Sequence, residues 1–275
     1  MDTNTLYIVA TPIGNLEDIT LRALRILREV ALIAAEDTRV TGRLLAHYEI
    51  NTRLISYHEH NKLTRLTQVL QALETGSVAL VSDAGTPGIN DPGYELVRAA
   101  IAQGATITPL PGASAPIAAL VASGLPTDRF VYLGFVPRTA SKRRAFWQDV
   151  ASAPYTLIAF EAPHRLQACL HDARDILGAR TIAVAREVTK LHEEIFRGSL
   201  SEAIAHFTAP RGEITLVIAG ASSDAGMWTE AEVRQALTRA LADGTSASQA
   251  AREIALRCGW KRRAVYRLAM EKDNL

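Results

Sequence analysis

The chain has 275 residues, of which 48% are hydrophobic and 21% are charged, and its formal net charge is +1. This length is enough for one large core or two moderate ones, and the balanced charge by itself indicates no class of partner. Two cysteines without a CxxC spacing, Cys169 and Cys258, argue against a disulfide framework and against a thiolate metal site. The N-terminus lacks a basic start, and no window approaches the roughly 20 apolar residues of a membrane span. We therefore expect a soluble, cytoplasmic protein with no metal and no membrane partner.

The first part of the chain alternates short apolar runs with stretches of helical periodicity. Strands are predicted at LYIVA (6–10), ALIAAE (31–36), RLISY (53–57), SVALVSD (77–83) and ATITPL (105–110). Helices are predicted between them, one capped by Gly76 and another ending at Gly104. Such alternation implies a parallel α/β sheet, and uninterrupted apolar runs are typical of strands covered on both faces. We predict an N-terminal α/β subdomain over residues 1–123.

The remainder of the chain is predicted to form two further parts. GLPTDRF (124–130) is typical of a linker, and the strands that follow it have fewer helices between them. This pattern favours a second α/β subdomain with a mixed sheet over residues 124–222. A small-residue linker, AGASSDAGM (219–227), precedes residues 228–275, which are predicted to be all helical.

Three glycine-rich turns follow predicted strands: ATPIGN (10–15), SDAGTPGINDPG (82–93) and PLPGASAP (109–116). Open α/β sheets bind ligands at the carboxyl ends of their strands, and glycine lets a ligand approach bare backbone. The chain has neither GxxxxGK[ST] nor GxGxxG after the first strand, so the usual phosphate and dinucleotide loops are not expected. Acidic loops without lysine or arginine favour a cationic or neutral ligand. S-adenosylmethionine, with a sulfonium and no phosphate, fits this pattern, although each turn taken alone is also compatible with a plain structural turn.

Six motifs occur in a fixed order along the chain: VATPIGN, AEDTR, SDAGTPGINDPG, PGASA, FEAPHR and GEITLV. Together they resemble the tetrapyrrole methylase superfamily of S-adenosylmethionine-dependent methyltransferases, and AEDTR and FEAPHR resemble its RNA-modifying branch. The resemblance implies two α/β subdomains with the cofactor cleft between them, a small C-terminal helical domain, and a homodimer. It also implies 2′-O-methylation of a cytidine ribose in the decoding region of 16S small-subunit ribosomal RNA, as free RNA or as the 30S subunit. Ala113 and Asn90 depart from the family's usual proline and serine at their positions.

The resemblance also assigns roles to individual residues. The positions implied to contact the cofactor are Pro12, Ala84, Gly85, Thr86, Ile89, Ser114, Ala115, Phe160 and Val188. A ribose hydroxyl is a poor nucleophile until its proton leaves, so a general base is expected to matter. Asp37 in AEDTR matches an acid of the sirohaem enzymes and is the first candidate, with helix capping as the alternative. Lys190 in REVTK is either a cationic partner in the site or a solvated lysine.

Several further residues have more than one open interpretation. Arg39 binds an RNA phosphate, orients Asp37 or is a plain surface arginine, and Arg165 either contacts RNA or forms a salt bridge with Glu161. His58 and His60 in YHEHNK lie two apart, which permits a metal site, but no third ligand is evident and an RNA entrance or a plain loop fits better.

The C-terminal segment SASQAAREIALRCGWKRRAVYRLAMEK predicts a helix, a turn at Cys258–Gly259 and a second helix. Apolar residues recur at helical spacing on both helices, as in a helix-turn-helix. The second helix is basic, and the residues expected to contact RNA there are Lys261, Arg262, Arg263 and Arg267. The alternative is a solvated charged face on a small helical bundle.

Two other functions stay open at this point. The first is methylation of a tetrapyrrole carbon, which keeps the chemistry and changes the substrate. The second is a non-catalytic nucleic-acid-binding regulator that uses the α/β part as a ligand sensor. Methyl transfer to RNA distinguishes the enzyme from the regulator.

Overall fold

A computed structural model describes residues 4–221, 228–258 and 260–271 of the chain. The predicted turn at Gly259 and most of the predicted linker at 219–227 lie outside the described residues. No helix among the described residues is long and apolar enough to cross a membrane.

The first sheet has five parallel strands in the order β3-β2-β4-β1-β5. The strands are β1 Thr5–Val9, β2 Leu32–Ala35, β3 Leu54–Ser56, β4 Val78–Val81 and β5 Thr106–Leu110. The helices that connect or follow them are α1 Leu21–Glu29, α2 Thr38–His47, α3 Lys62–Thr75, α4 Tyr94–Ala102 and α5 Ala115–Ser123. The central strands β2 and β4 are buried at every residue, because apolar clusters cover both faces of the sheet. The five predicted strands and their parallel arrangement are confirmed.

The second sheet is mixed, as predicted, with the order β6-β7-β10-β8-β9. The β6–β7 pair is parallel and the other pairs are antiparallel. Its strands are β6 Phe130–Phe135, β7 Thr156–Glu161, β8 Thr181–Arg186, β9 Glu194–Ser199 and β10 Ile214–Ile218. Its helices are α6 Ala140–Asp149, α7 Leu166–Leu177 and α8 Leu200–His206. They cover one face around the fully buried Trp147.

Helix α5 joins the two sheets. It follows β5 of the first sheet, yet its buried residues Ala119 and Leu120 pack on Ile158, Ala183 and Val217 of the second. The small residues of α5 permit this close packing. The loop before α5 is thereby held next to the second sheet, and this position creates a cleft between the strand ends of the two sheets.

The C-terminal part contains α9 Glu230–Ala242, α10 Ala247–Cys258 and α11 Arg262–Met270. Capping by Thr229 and Glu232, whose side chains reciprocally bond the backbone, begins α9. The three helices share a small core of their own, and the predicted apolar stripes form it. The buried residues of this core are Val233, Leu237, Ala250, Ala251, Ile254, Cys258, Val265, Leu268 and Ala269.

Candidate active site

A cavity of about 430 Å³ lies where the strand ends of the two sheets face each other, within the usual size range of small-ligand sites. Seven of the nine predicted cofactor positions line it: Ala84, Gly85, Thr86, Ile89, Ser114, Ala115 and Phe160. The other two are not among its lining residues. Pro12 precedes Ile13, which does line the cavity, and Val188 packs against the buried cluster under α5.

The loop after β4 forms one wall of the cavity. Its backbone conformation requires glycine at two positions. Gly85 and Gly88 have φ angles of +83° and +85°, which glycine adopts without strain. The Thr11 and Gly85 amides each donate to the other residue's carbonyl, at 2.9 and 3.0 Å, and the Thr11 hydroxyl donates to the Ser82 carbonyl at 3.0 Å. The loop is therefore fixed to the end of β1, with Ala84 and Thr86 facing the cavity.

The cavity is acidic. Five carboxylates line it, Glu36, Asp83, Asp91, Glu161 and Glu213, and no lysine, arginine or histidine occurs among its described lining residues. Its remaining walls are largely apolar side chains and small residues. An acidic and partly apolar cavity suits a cation that also has apolar parts, and it disfavours a phosphate.

Burial and mutual repulsion shift the titration of these acids. Burial, followed by the charge of Glu36, raises the pKa of Asp91 from 3.8 to about 7. The pKa of Glu36 is also raised, mainly by burial, and a hydrogen bond from the Asp83 amide opposes this shift. Burial likewise raises the pKa of Asp83. Because a bound cation favours the charged form of these acids, its binding would change how many protons they hold.

Glu36, and not Asp37, faces this cavity. Strand β2 ends at Ala35, and the Asp37 side chain caps α2 by accepting from the Arg39 amide at 2.8 Å. The Asp37 carboxylate also forms an ion pair with the Arg39 guanidinium at 2.6 Å, which holds its pKa well below the ordinary range. The capping alternative for Asp37, and the pairing alternative for Arg39, are therefore both present in the structure.

A chain of hydrogen bonds fixes these acids relative to one another. The Asp37 amide donates to Asp83 Oδ1 at 2.9 Å, and the Asp83 amide donates to Glu36 Oε2 at 3.3 Å. The ends of β2 and β4 are thus linked through carboxylates, and Glu36 is held by a backbone donor.

An open pocket of about 310 Å³ adjoins the main cavity, and Glu36 lines both. Its other lining residues are Asp37, Thr38, Arg39, Ser56, His58 and His60. No cluster of three or more metal-ligating side chains occurs among the described residues. His58 and His60 therefore line a pocket next to the acidic cavity.

The second sheet contributes aromatic and charged residues. Phe160 packs against Tyr132 and Phe135, with ring centroids 5.5 and 5.2 Å apart, and Phe135 joins Phe160 in the cavity wall. Arg165 forms a salt bridge of 2.6 Å with Glu161, whose side chain is fully buried. The ion-pair interpretation of Arg165 is thus present, and it neutralises a carboxylate that also lines the cavity.

Lys190 lies behind the cavity wall. Its ammonium is 2.9 Å from Glu187 Oε1 and 3.1 Å from Glu213 Oε2, and Glu213 lines the cavity. Its stem packs on the first-sheet loop so closely that a Cβ added at Gly14 would lie 2.4 Å from Lys190 Cγ. Lys190 therefore holds loops of both sheets together.

The four basic residues predicted to contact RNA, Lys261, Arg262, Arg263 and Arg267, are all exposed on or just before α11. The residues that sequence reasoning did not assign to the site are the cavity acids Glu36, Asp83, Asp91 and Glu213, and the aromatic Phe135. The acids in the loop 82–93 were a usable signal, because a predicted ligand loop that contains carboxylates places them beside the ligand. Glu213 belongs to the GEITLV motif, which carried the family resemblance but no role for this residue, and nothing local to Phe135 indicates the site.

The fold and the cavity together define a two-sheet α/β protein with a ligand cleft between its sheets. Residues 5–204 match the family described as Tetrapyrrole (Corrin/Porphyrin) Methylases, and residues 229–273 match the RsmI C-terminal HTH domain. A Ribosomal RNA small subunit methyltransferase I from Synechocystis sp. is 50% identical over 273 residues, which cover 98% of each chain. The protein of the same name from Halalkalibacterium halodurans is 44% identical and covers 97% of this chain and 95% of its own. The chain therefore belongs to the tetrapyrrole methylase family of methyltransferases and, within it, groups with these relatives.

Solved structures share the fold at low sequence identity. The uroporphyrin-III-C-methyltransferase of Thermus thermophilus has a TM-score of 0.55 at 20% identity and covers 78% of this chain and 94% of its own. A diphthine synthase has a TM-score of 0.60 at 15% identity and covers 78% of this chain and 90% of its own. These likenesses concern the α/β fold alone.

Proposed function

We propose that the protein transfers a methyl group from S-adenosylmethionine to the ribose 2′-hydroxyl of a cytidine in the decoding region of 16S small-subunit ribosomal RNA. The observation that carries the proposal is the acidic cavity at the strand ends of a tetrapyrrole methylase fold, whose described lining contains no lysine or arginine. The names of the full-length relatives support the RNA substrate. The AEDTR and FEAPHR motifs, whose Glu36 and Glu161 both line the cavity, support the RNA-modifying branch.

The cavity fits S-adenosylmethionine by the chemistry of its lining. Its carboxylates suit the sulfonium and ammonium, and its apolar walls suit the adenine. The backbone around Gly85 leaves a cradle in which an added Cβ would contact Ile13 Cγ2 at 3.4 Å. The residues that would hold the cofactor are Ala84, Gly85, Thr86, Ile89, Ser114, Ala115 and Phe160. When bound, the cofactor would supply a methyl group on a positively charged sulfur. The acceptor oxygen would bond to the methyl carbon from the side opposite the sulfur, and the sulfur would leave with the electrons of the broken carbon–sulfur bond.

The proton of the ribose hydroxyl needs an acceptor, and the geometry favours Glu36 over Asp37. Glu36 lines both the cofactor cavity and the open pocket beside it, so its carboxylate lies between the two. Burial raises its pKa, which makes it a stronger base than an ordinary glutamate. Asp37 is committed to Arg39 and to the helix cap, and its lowered pKa makes it a weak base. Asp37 and Lys190 then act by positioning the loops.

RNA would approach through the open pocket and the C-terminal helices. Arg39 is 85% exposed at its side chain and stays available to a phosphate beside Asp37. The basic residues of α11 supply a second contact region for the backbone of the RNA. We further propose that the enzyme works in the cytoplasm as a homodimer on the 30S subunit or its RNA.

Transfer of a radiolabelled methyl group tests this function. Purified protein would be incubated with labelled S-adenosylmethionine and, separately, with unmodified 30S subunits, free 16S RNA and uroporphyrinogen III. Label in RNA supports the proposal, and label in the tetrapyrrole supports the first rival. Cofactor binding with no label in any acceptor supports the regulator. A chain ending near residue 221 then serves to assign the helical tail.

A further inference from the structure

The outward face of α11 is a groove that contains both basic and apolar side chains. Arg263, Tyr266, Arg267 and Met270 are spaced so that they share one side of the helix, and all four are exposed. The opposite side is buried in the small helical core through Val265, Leu268 and Ala269. The groove has a volume of about 670 Å³ and is also lined by Lys261 and Glu271.

Two features of this groove are unusual for a simple solvated face. Tyr266 and Met270 are 41% and 53% exposed, so a large aromatic ring and a flexible thioether meet water side by side. Lys261, Arg263 and Arg267 surround them, and the one acid among the described lining residues, Glu271, is paired with Arg234 at 2.9 Å. Among the residues that the structure describes, the groove therefore combines an excess of positive charge with an exposed aromatic surface.

We infer that this groove binds an unpaired nucleotide of RNA, with the base stacked on Tyr266 and the flanking phosphates contacted by Lys261, Arg263 and Arg267. The inference rests on the proposed function for the choice of RNA. Arginine and lysine complement phosphate, and aromatic rings stack on bases of any sequence. Insertion of α11 into an RNA duplex would give little recognition, because the major groove of an A-form duplex is too deep and narrow for side chains to read. An exposed tyrosine between basic residues suits a single-stranded segment instead.

Binding of the full-length protein to two fluorescently labelled RNAs tests the inference without any methyl transfer. One RNA is a short single strand, and the other is the same sequence annealed into a duplex. Fluorescence anisotropy would be measured over a range of salt concentrations for the wild type, Tyr266→Ala, Tyr266→Phe and Arg267→Gln. Arg239→Gln, at an exposed site on α9, is the matched control for lost charge. Circular dichroism and S-adenosylmethionine binding verify that each variant is folded.

Stacking of one base predicts that Tyr266→Ala weakens binding to the single strand by about 5- to 150-fold, whereas Tyr266→Phe stays within about twofold. The slope of log affinity against log salt is expected to be unchanged in Tyr266→Ala and smaller by about one in Arg267→Gln. Arg239→Gln is expected to match the wild type. Equal single-strand affinity of Tyr266→Ala and the wild type would overturn the inference, as would a duplex bound as tightly as the single strand. Because these readouts need no methylation, a protein that labels no RNA can still pass or fail them.

Discussion

Asp91 is expected to lower the stability of the folded, ligand-free protein, because its pKa is raised from 3.8 to about 7. Below about pH 4 the carboxyl is protonated in both the folded and unfolded states and has no effect on stability. As the pH rises from 4 to 7, the unfolded state loses this proton while the folded state keeps it, so stability falls. The full penalty is present above about pH 7.

The size of this penalty follows from the shift. At about 1.4 kcal/mol for each pKa unit, the shift corresponds to at most about 4 kcal/mol. Asp91 is only partly buried, and solvent screening reduces the value to about 2 kcal/mol. Asn is nearly the same shape and has no charge. Asp91→Asn should therefore raise the melting temperature of the ligand-free protein at pH 8 by about 4 °C.

Thermal unfolding of the wild type and Asp91→Asn at pH 8 and pH 5 measures this effect, with the exposed Asp128→Asn as control. The gain at pH 5 should be less than half of the gain at pH 8, and the control should show none. Asp91→Asn should also bind S-adenosylmethionine more weakly at pH 8, because a carboxylate facing the cation is lost. A lower melting temperature at pH 8, or an equal gain at both pH values, would refute the reasoning.

Three further predictions concern the other charged residues of the site. Glu36→Gln should lower kcat for methyl transfer by about 10²- to 10⁴-fold, whereas Asp37→Asn, which keeps a capping side chain, should lower it by less than about tenfold; the reverse order would restore Asp37 as the base. Arg165→Met leaves the Glu161 carboxylate buried without its partner, so urea unfolding should show a loss of about 3–5 kcal/mol. Adding Glu161→Gln should recover most of that loss, and no recovery would contradict the ion-pair account. Lys190→Met should weaken cofactor binding roughly fivefold by calorimetry, since it removes about 1 kcal/mol of ion pairing behind the cavity wall, with kcat at saturating cofactor nearly unchanged. A large fall in kcat with unchanged affinity would assign Lys190 to the chemical step.

The sequence is informative about the fold because its strands are short apolar runs bounded by glycine, proline and acids. The five strands of the first sheet occur at the predicted places, and the scarcity of helices after residue 124 indicated the mixed second sheet. What the sequence could not indicate is that α5 packs on the second sheet. The small residues of α5 indicate that another element can pack closely on it, but they do not indicate which element does so.

The site is less predictable than the fold, because it is assembled from strand ends of both sheets. Neighbouring side chains at a strand end point to opposite faces, so whether Glu36 or Asp37 faces the cavity depends on where β2 ends and where α2 begins. Asp37 lies at that junction, and its capping role follows from the local backbone. Glu213 and Phe135 are far along the chain from the glycine-rich loops, so only the tertiary structure brings them to the cavity.

The most direct test of the central claim is the identity of the methylated nucleotide. Unmodified 30S subunits would be incubated with the protein and labelled S-adenosylmethionine, and the RNA would be digested and mapped by mass spectrometry. We expect a single 2′-O-methylcytidine in the decoding region, formed by the wild type and lost in Glu36→Gln. A methyl group on a base, on another region of the RNA, or on no RNA at all would contradict the claim.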